Sequence, residues 1–306
     1  MGLLEAIIIS VIAASTPLLL AAAGELVVER SGVLNLGSEG MMIMGAACGF
    51  AGAWLTGSTF IGALFGIAAG CALSLVFATL TLGLAVNQVA AGLALTILGV
   101  GLSGLIGAGF VGEKIVPAPH LYLPVLTDLP VVGKILFGQD GFVYFSVALV
   151  AAIWWFLYHT RAGLVLRAVG DNHASAHALG YPVLRIRLLA VLFGGGCAGL
   201  AGAYLSLAYT PFFTAGMTAG RGWIALALVV FASWRPLRLV AGAYLFGAVT
   251  ILQLHAQGAG MGITPQLMAA LPYLATILVL VAISGTRRMA GSTAPASLGV
   301  PFVPDR

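Results

Sequence analysis

The chain has 306 residues, of which 61% are hydrophobic and only 7% charged, and it carries a formal net charge of +4. A soluble domain of this length needs far more polar surface, so the composition excludes a soluble globular protein and defines an integral membrane one. The apolar stretches are continuous rather than alternating, which excludes a spanning β-barrel and leaves helices.

A span needs about 20 apolar residues. In chain order this rule predicts nine, over residues 4–24, 39–57, 60–81, 87–110, 141–160, 187–209, 217–234, 237–256 and 267–285. The first run has Glu5 where a secretory signal would be basic, and it is read as a retained span. The 42 glycines suit helices packed through small residues. Cys48, Cys71 and Cys197 fall inside apolar runs without metal-ligand spacing.

Between the first two runs lies GELVVERSGVLNLGSEGMM, residues 24–42, which concentrates Glu25, Glu29, Arg30, Asn35 and Glu39. Gly32 and Gly37 interrupt helix, Asn35 or Ser38 can cap the next one, and Glu39 falls in its first turn, at the positive end of the helix dipole. The segment is either a broken or re-entrant connection, near residues 31–40, bordering a solute path, or an ordinary capped turn at the inner face. Asn87 and Gln88, opening the fourth span, can bond a polar solute or cap and link helices; the structural role is favoured.

The loop 111–140 carries Pro117, Pro119, Pro124 and Pro130, so it is not one continuous helix. RAVGDNHASAHALGYPVLRIR, residues 167–187, reads as a short helix capped by Asp171 or Asn172, ended by Gly180 and stopped by Pro182. It is too short and polar to span, and suits docking into another protein's groove as well as it suits a basic loop that fixes topology. GRGWIALALVVFASWRPLRLVAGAYLFG, residues 220–247, reads as a hairpin of two spans, with Arg221 at an outer start and Pro236 in the turn.

The arginines of 161–187, of SWRPLR and of the end of the last span fall on one side of a nine-span bundle. The bias of basic residues to cytoplasmic loops then puts the C-terminus inside and the N-terminus outside. Residues 1–286 form a single membrane domain, and 287–306 a disordered cytoplasmic tail. No phosphate loop, HExxH or GxSxG occurs, the spans are almost free of intramembrane charge, and His173 with His177 has no third ligand nearby. A stand-alone secondary transporter is weakened by the same absence of charge.

Taken in order, ERSGVLNLGSEGMMIMGA, RAVGDNHASAHALG and GRGWIALALVVFASWRP resemble the permease subunits of ATP-binding cassette (ABC) importers, most closely the shorter permease of the nucleoside and simple-sugar systems, and the likeness extends from about Leu18 to Gly285. The resemblance implies an all-α polytopic permease forming half of a path for nucleosides, or else for a simple sugar such as a pentose, in a bacterial plasma membrane. It makes Asn35 and Glu39, then Asn87 and Gln88, the path residues. It makes Gly170, Asp171, Asn172, His173, Ala178, Leu179 and Gly180 part of a coupling helix that seats in the ATPase. The family usually has proline after the acid-Asn pair, where this chain has His173. The implied partners are a second homologous permease, an ABC ATPase that binds the ATP, and an extracytoplasmic solute-binding protein; no cofactor and no nucleic acid is implied for this chain.

Overall fold

The computed structural model describes residues 2–258, apart from 123, 125, 126 and 128–131, together with residues 294–303 and isolated positions between 267 and 281. The span expected over 267–285 thus lies outside the described residues, save for those positions.

The described chain is helical: α1 (Leu3–Arg30), α2 (Ser38–Thr56), α3 (Thr59–Ala78), α4 (Gln88–Gly107), α5 (Val132–Phe137), α6 (Gly141–His159), α7 (Arg161–Asp171), α8 (His173–Ala178), α9 (Val183–Tyr204), α10 (Arg221–Phe231) and α11 (Pro236–Gly258). Among the described residues six helices are long and apolar enough to cross a membrane: Leu4–Arg30, Thr59–Gly83, Gln88–Phe110, Gly141–His159, Val183–Tyr209 and Pro236–Gly258. They match six of the nine expected spans. α3 and α9 each run on through a π-helical turn, Thr79–Gly83 and Leu205–Tyr209.

The other two described candidates differ from a simple crossing. α10 has 11 residues, so it rises about 16 Å, roughly half the hydrocarbon thickness. α2 lies in the centre of the bundle, with Met41, Met42, Ile43, Ala46 and Phe50 fully enclosed. Protein, rather than lipid, surrounds most of it.

Glycine lets these helices approach backbone to backbone. Gly45 of α2 rests on Gly199 of α9, Gly66 and Gly70 of α3 rest on Gly199 and Gly195, and Gly99 of α4 rests on Gly40. Helices in lipid gain little from apolar burial against each other, and this close packing supplies the attraction instead.

α1 corrects the expected end of the first span. It continues to Arg30, so Glu25, Glu29 and Arg30 are helical and buried at 2%, 1% and 9% exposure instead of standing in a solvated turn. Residues 294–303, expected to be disordered, lie against α7, α8 and the end of α1: the Ser297 N–H donates to the Gly170 carbonyl at 2.9 Å and the Gly299 N–H to the Gly32 carbonyl at 3.2 Å.

Candidate functional site

The break between α1 and α2 is real and polar. Its N–H groups are satisfied by side chains of the break itself, of α1 and of α4, as buried irregular backbone requires. The Asn35 N–H donates to Glu25 Oε1 at 3.3 Å, the Leu34 N–H to Gln88 Oε1 at 2.8 Å, and the Gly37 N–H to Asn35 Oδ1 at 3.0 Å. Thr96 Oγ1 of α4 donates to the Leu36 carbonyl at 3.1 Å. Gly32, with φ of 89°, makes the turn, a conformation costly for any residue with a Cβ.

Asn35, Glu39 and Gln88 are therefore brought together around this break, and all three are enclosed by the chain. Gln88 uses its oxygen on Leu34, while its Nε2 is buried with no partner among the described residues. Asn87 is placed differently. It stands exposed at the start of α4 and caps that helix, accepting from the Val89 and Ala90 amides at 3.0 Å each.

Glu39 has a role that no sequence pattern announced. Its Oε1 accepts from the Thr218 hydroxyl at 2.6 Å and the Gly220 N–H at 2.9 Å, and its Oε2 accepts from the Gly222 N–H at 2.6 Å. Ser38 adds a bond to the Gly222 carbonyl at 3.2 Å. The carboxylate of α2's first turn thus closes the amino end of α10, where unpaired N–H groups and the dipole favour an anion. This corrects the expected placement of Arg221: the nine-span count puts the starts of α2 and α10 on opposite faces, but the 11-residue α10 starts where α2 starts. The two helices meet by their amino ends. The residues the sequence did not single out are Thr218, Gly220 and Gly222; the GRG triplet was the only trace of them.

A second polar centre lies at the Arg30 end of α1. Trp234 Nε1 donates to Glu29 Oε2 at 2.5 Å, and Arg30 donates to the Trp234 carbonyl through Nε at 3.2 Å and a terminal nitrogen at 2.8 Å. The turn that presents Trp234 holds two non-glycine residues at positive φ, Ser233 (51°) and Trp234 (54°), which such backbone tolerates only when the surroundings hold it.

The same end carries the α7–α8 corner. Asn172 caps α8, accepting from the Ser175 N–H at 2.9 Å, and Gly180 ends it with φ of 86°. The corner has its own small core of Val169, Ala176 and Val183, with Phe302 packed on it. Gly170 lies directly on the Arg30 carbonyl, a contact no larger residue permits. Leu179, by contrast, is 78% exposed at the tip. Ala178 is exposed beside it, and Asp171 offers its carbonyl to Ser297 Oγ at 3.3 Å.

His173 meets Arg187 Nη2 through Nδ1 at 3.2 Å. A guanidinium only donates, so Nδ1 is the unprotonated nitrogen and the proton sits on Nε2. Burial, and then the Arg187 charge, hold this imidazole below its ordinary 6.5. Above that value His173 is neutral whether or not the corner is closed. Below it, the opened corner takes up a proton that the closed one resists, so closure weakens as pH falls. Hydrogen exchange at the Ser297 and Gly299 amides, corrected for intrinsic rates, is expected to accelerate on going from about pH 7.5 to about pH 5.5; unchanged protection would refute the linkage.

A helical bundle with several membrane-length helices and a broken, polar first connection defines a polytopic membrane protein. The family described as branched-chain amino acid transport system, permease component, matches residues 7–284, and the chain belongs to that family. It is 45% identical over 301 residues to a Haloferax volcanii protein provisionally named a glucose ABC transporter permease, covering 91% of this chain and 90% of the relative. It is 31% identical to a nucleoside ABC transporter permease of Lactococcus lactis and to a guanosine ABC transporter permease of Bacillus subtilis, in each case over 98% of this chain and 97% of the relative. No solved structure matches.

Proposed function

We propose that this chain is the transmembrane permease subunit of an ATP-driven importer and lines one half of a path for a sugar-bearing solute. It performs no chemistry of its own. ATP is bound and hydrolysed by a separate ABC ATPase, and the chain works beside a second homologous permease and an extracytoplasmic solute-binding protein, in the plasma membrane of a bacterium. The basic corner and the C-terminal segment face the cytoplasm, and the N-terminus faces outward.

The observation that carries this reading is the α7–α8 corner. It is a small rigid unit with its own core, it presents Leu179 to the outside, and it touches the broken end of α1 through Gly170. Residues Gly170 to Gly180 are thus suited to seat in an ATPase groove and pass its movement to the membrane helices. Asn35 and Gln88 border the path at the break and Asn87 stands at its exposed edge, while Glu39 holds together α2 and α10, whose separation opens it. Two relatives named for nucleosides support the nucleoside reading, and the more similar relative named for glucose supports a free sugar. Both solutes present a hydroxyl-rich ring.

A mild-detergent pull-down from the native membrane tests the assembly. The intact chain is expected to bring down an ATPase and a second permease, and a variant with residues 171–180 replaced by a Gly/Ser linker is expected to lose the ATPase. If the intact chain purifies alone and moves labelled solute in bare liposomes, it is a stand-alone transporter. Competition of uptake by unlabelled guanosine against unlabelled glucose then decides the solute.

A further inference from the structure

Arg187 is the largest fully buried side chain of the described residues, yet it stands near the start of α9, where an arginine ordinarily faces water. Its guanidinium points at three separate pieces of chain. Nε donates to the Ser31 carbonyl at 3.1 Å, Nη1 to the Val300 carbonyl at 3.2 Å, and Nη2 meets His173 Nδ1. Ser31 opens the break that leads to Asn35, His173 opens α8, and Val300 belongs to the C-terminal segment.

The C-terminal segment joins the same pieces a second time. Ser297 bonds to the carbonyls of Gly170 and Asp171, Gly299 bonds to Gly32, and the Phe302 ring rests on the His173 and His177 rings at centroid distances of 5.1 and 5.3 Å. Gly299 has φ of 75°, so the strap turns where it crosses α1. A terminal segment needs none of this for membrane insertion, and burying a guanidinium is costly unless its donors are used.

We propose that Arg187 and the strap Ser297–Phe302 form the transmission joint of the permease: they bind α8 to the α1–α2 break so that a displacement of α8 becomes a displacement of the path. Arg187 is a positioning residue here, acting through the segments it holds. The inference rests on the importer reading and adds to it a joint outside the docking helix itself. Without the joint, α8 still seats in the ATPase through Leu179 and its neighbours, but its movement is taken up in the loosened corner.

The test uses the complex co-purified from the native membrane, in proteoliposomes enclosing ATP, with the solute-binding protein added outside. Labelled guanosine and labelled glucose are the probes. Uptake and ATP hydrolysis are measured together for the intact chain, for Arg187→Lys, which keeps the charge but not the three-way geometry, for Phe302→Ala, and for a chain lacking residues 294–306. The expected result is retained ATPase, hydrolysis within about twofold of the intact complex, and solute moved per ATP lowered about tenfold. A purely stabilising role predicts lower yield and melting temperature with an unchanged ratio in the surviving complex, and that result overturns the proposal. So does loss of the ATPase from all three variants, which would make the strap part of docking or folding. If the intact chain itself captures no ATPase, the importer reading fails first, and this inference falls with it.

Discussion

Gly99→Val is expected to abolish recovery of folded protein, while Gly101→Val, two residues along the same helix, leaves it nearly unchanged. A Cβ at Gly99 would lie 2.5 Å from the Gly40 carbonyl oxygen and 2.7 Å from the Gly40 Cα, both backbone atoms that cannot rotate away. A Cβ at Gly101 meets nothing within 4 Å. Both substitutions place a β-branched residue inside α4, so their helix propensities cancel in the comparison. Overpacking of this kind costs about 1–3 kcal/mol where side chains can move, and more against rigid backbone. Here the displaced backbone is the first turn of α2, next to Glu39. Size-exclusion profiles and melting temperatures in mild detergent check it; equal losses in the two variants would show that α4 does not pack on α2 at this point.

Glu39→Ala is expected to be the most damaging single change at the candidate site, with Glu39→Gln intermediate. Alanine strands the Thr218 hydroxyl and the Gly222 N–H, buried donors whose loss of a partner costs about 1–3 kcal/mol each, and with them the half-buried Gly220 N–H. Glutamine keeps one oxygen, enough for Thr218 and Gly220, but turns its NH2 toward the Gly222 N–H, donor against donor. The expected order of stability is therefore Glu, then Gln, then Ala, read as melting temperature of the detergent-purified chain. If both variants melt like the native chain and differ only in uptake, the three bonds do not hold α10, and Glu39 acts on the solute instead.

The outer helices were legible in the sequence because lipid demands a long unbroken apolar run, and such runs can be counted. α10 was misread by the same rule: WIALALVVFASW continues an apolar run, but run length carries no information on depth. Its true start is set by Glu39, about 180 positions earlier in the chain. Glu25, Glu29 and Arg30 were misread for a related reason. Charges at the end of a hydrophobic run normally mark water, and only the partners supplied by Asn35 and Trp234 let these remain inside. Arg187 looked like one more topology-setting arginine, and GSTAPASLGVPFVP like a solvated tail, because neither string has a periodicity that betrays its contacts with Gly32, Gly170 and His173.

A helical membrane protein, a break between its first two helices, a short helix capped by Asp171 or Asn172, and the family were all legible in the chain read alone. The first three rest on local chemistry, the transfer of apolar side chains, capping groups, and glycine and proline at fixed positions, and the family on the likeness of three ordered motifs. That α2 and α10 meet end to end through one carboxylate, that Glu25 and Glu29 of α1 are buried, and that the C-terminal strap and Arg187 tie the corner to the break came only from the packed helices. Those features depend on which distant donor finds which acceptor, and a buried polar group shows its partner only after the helices have packed.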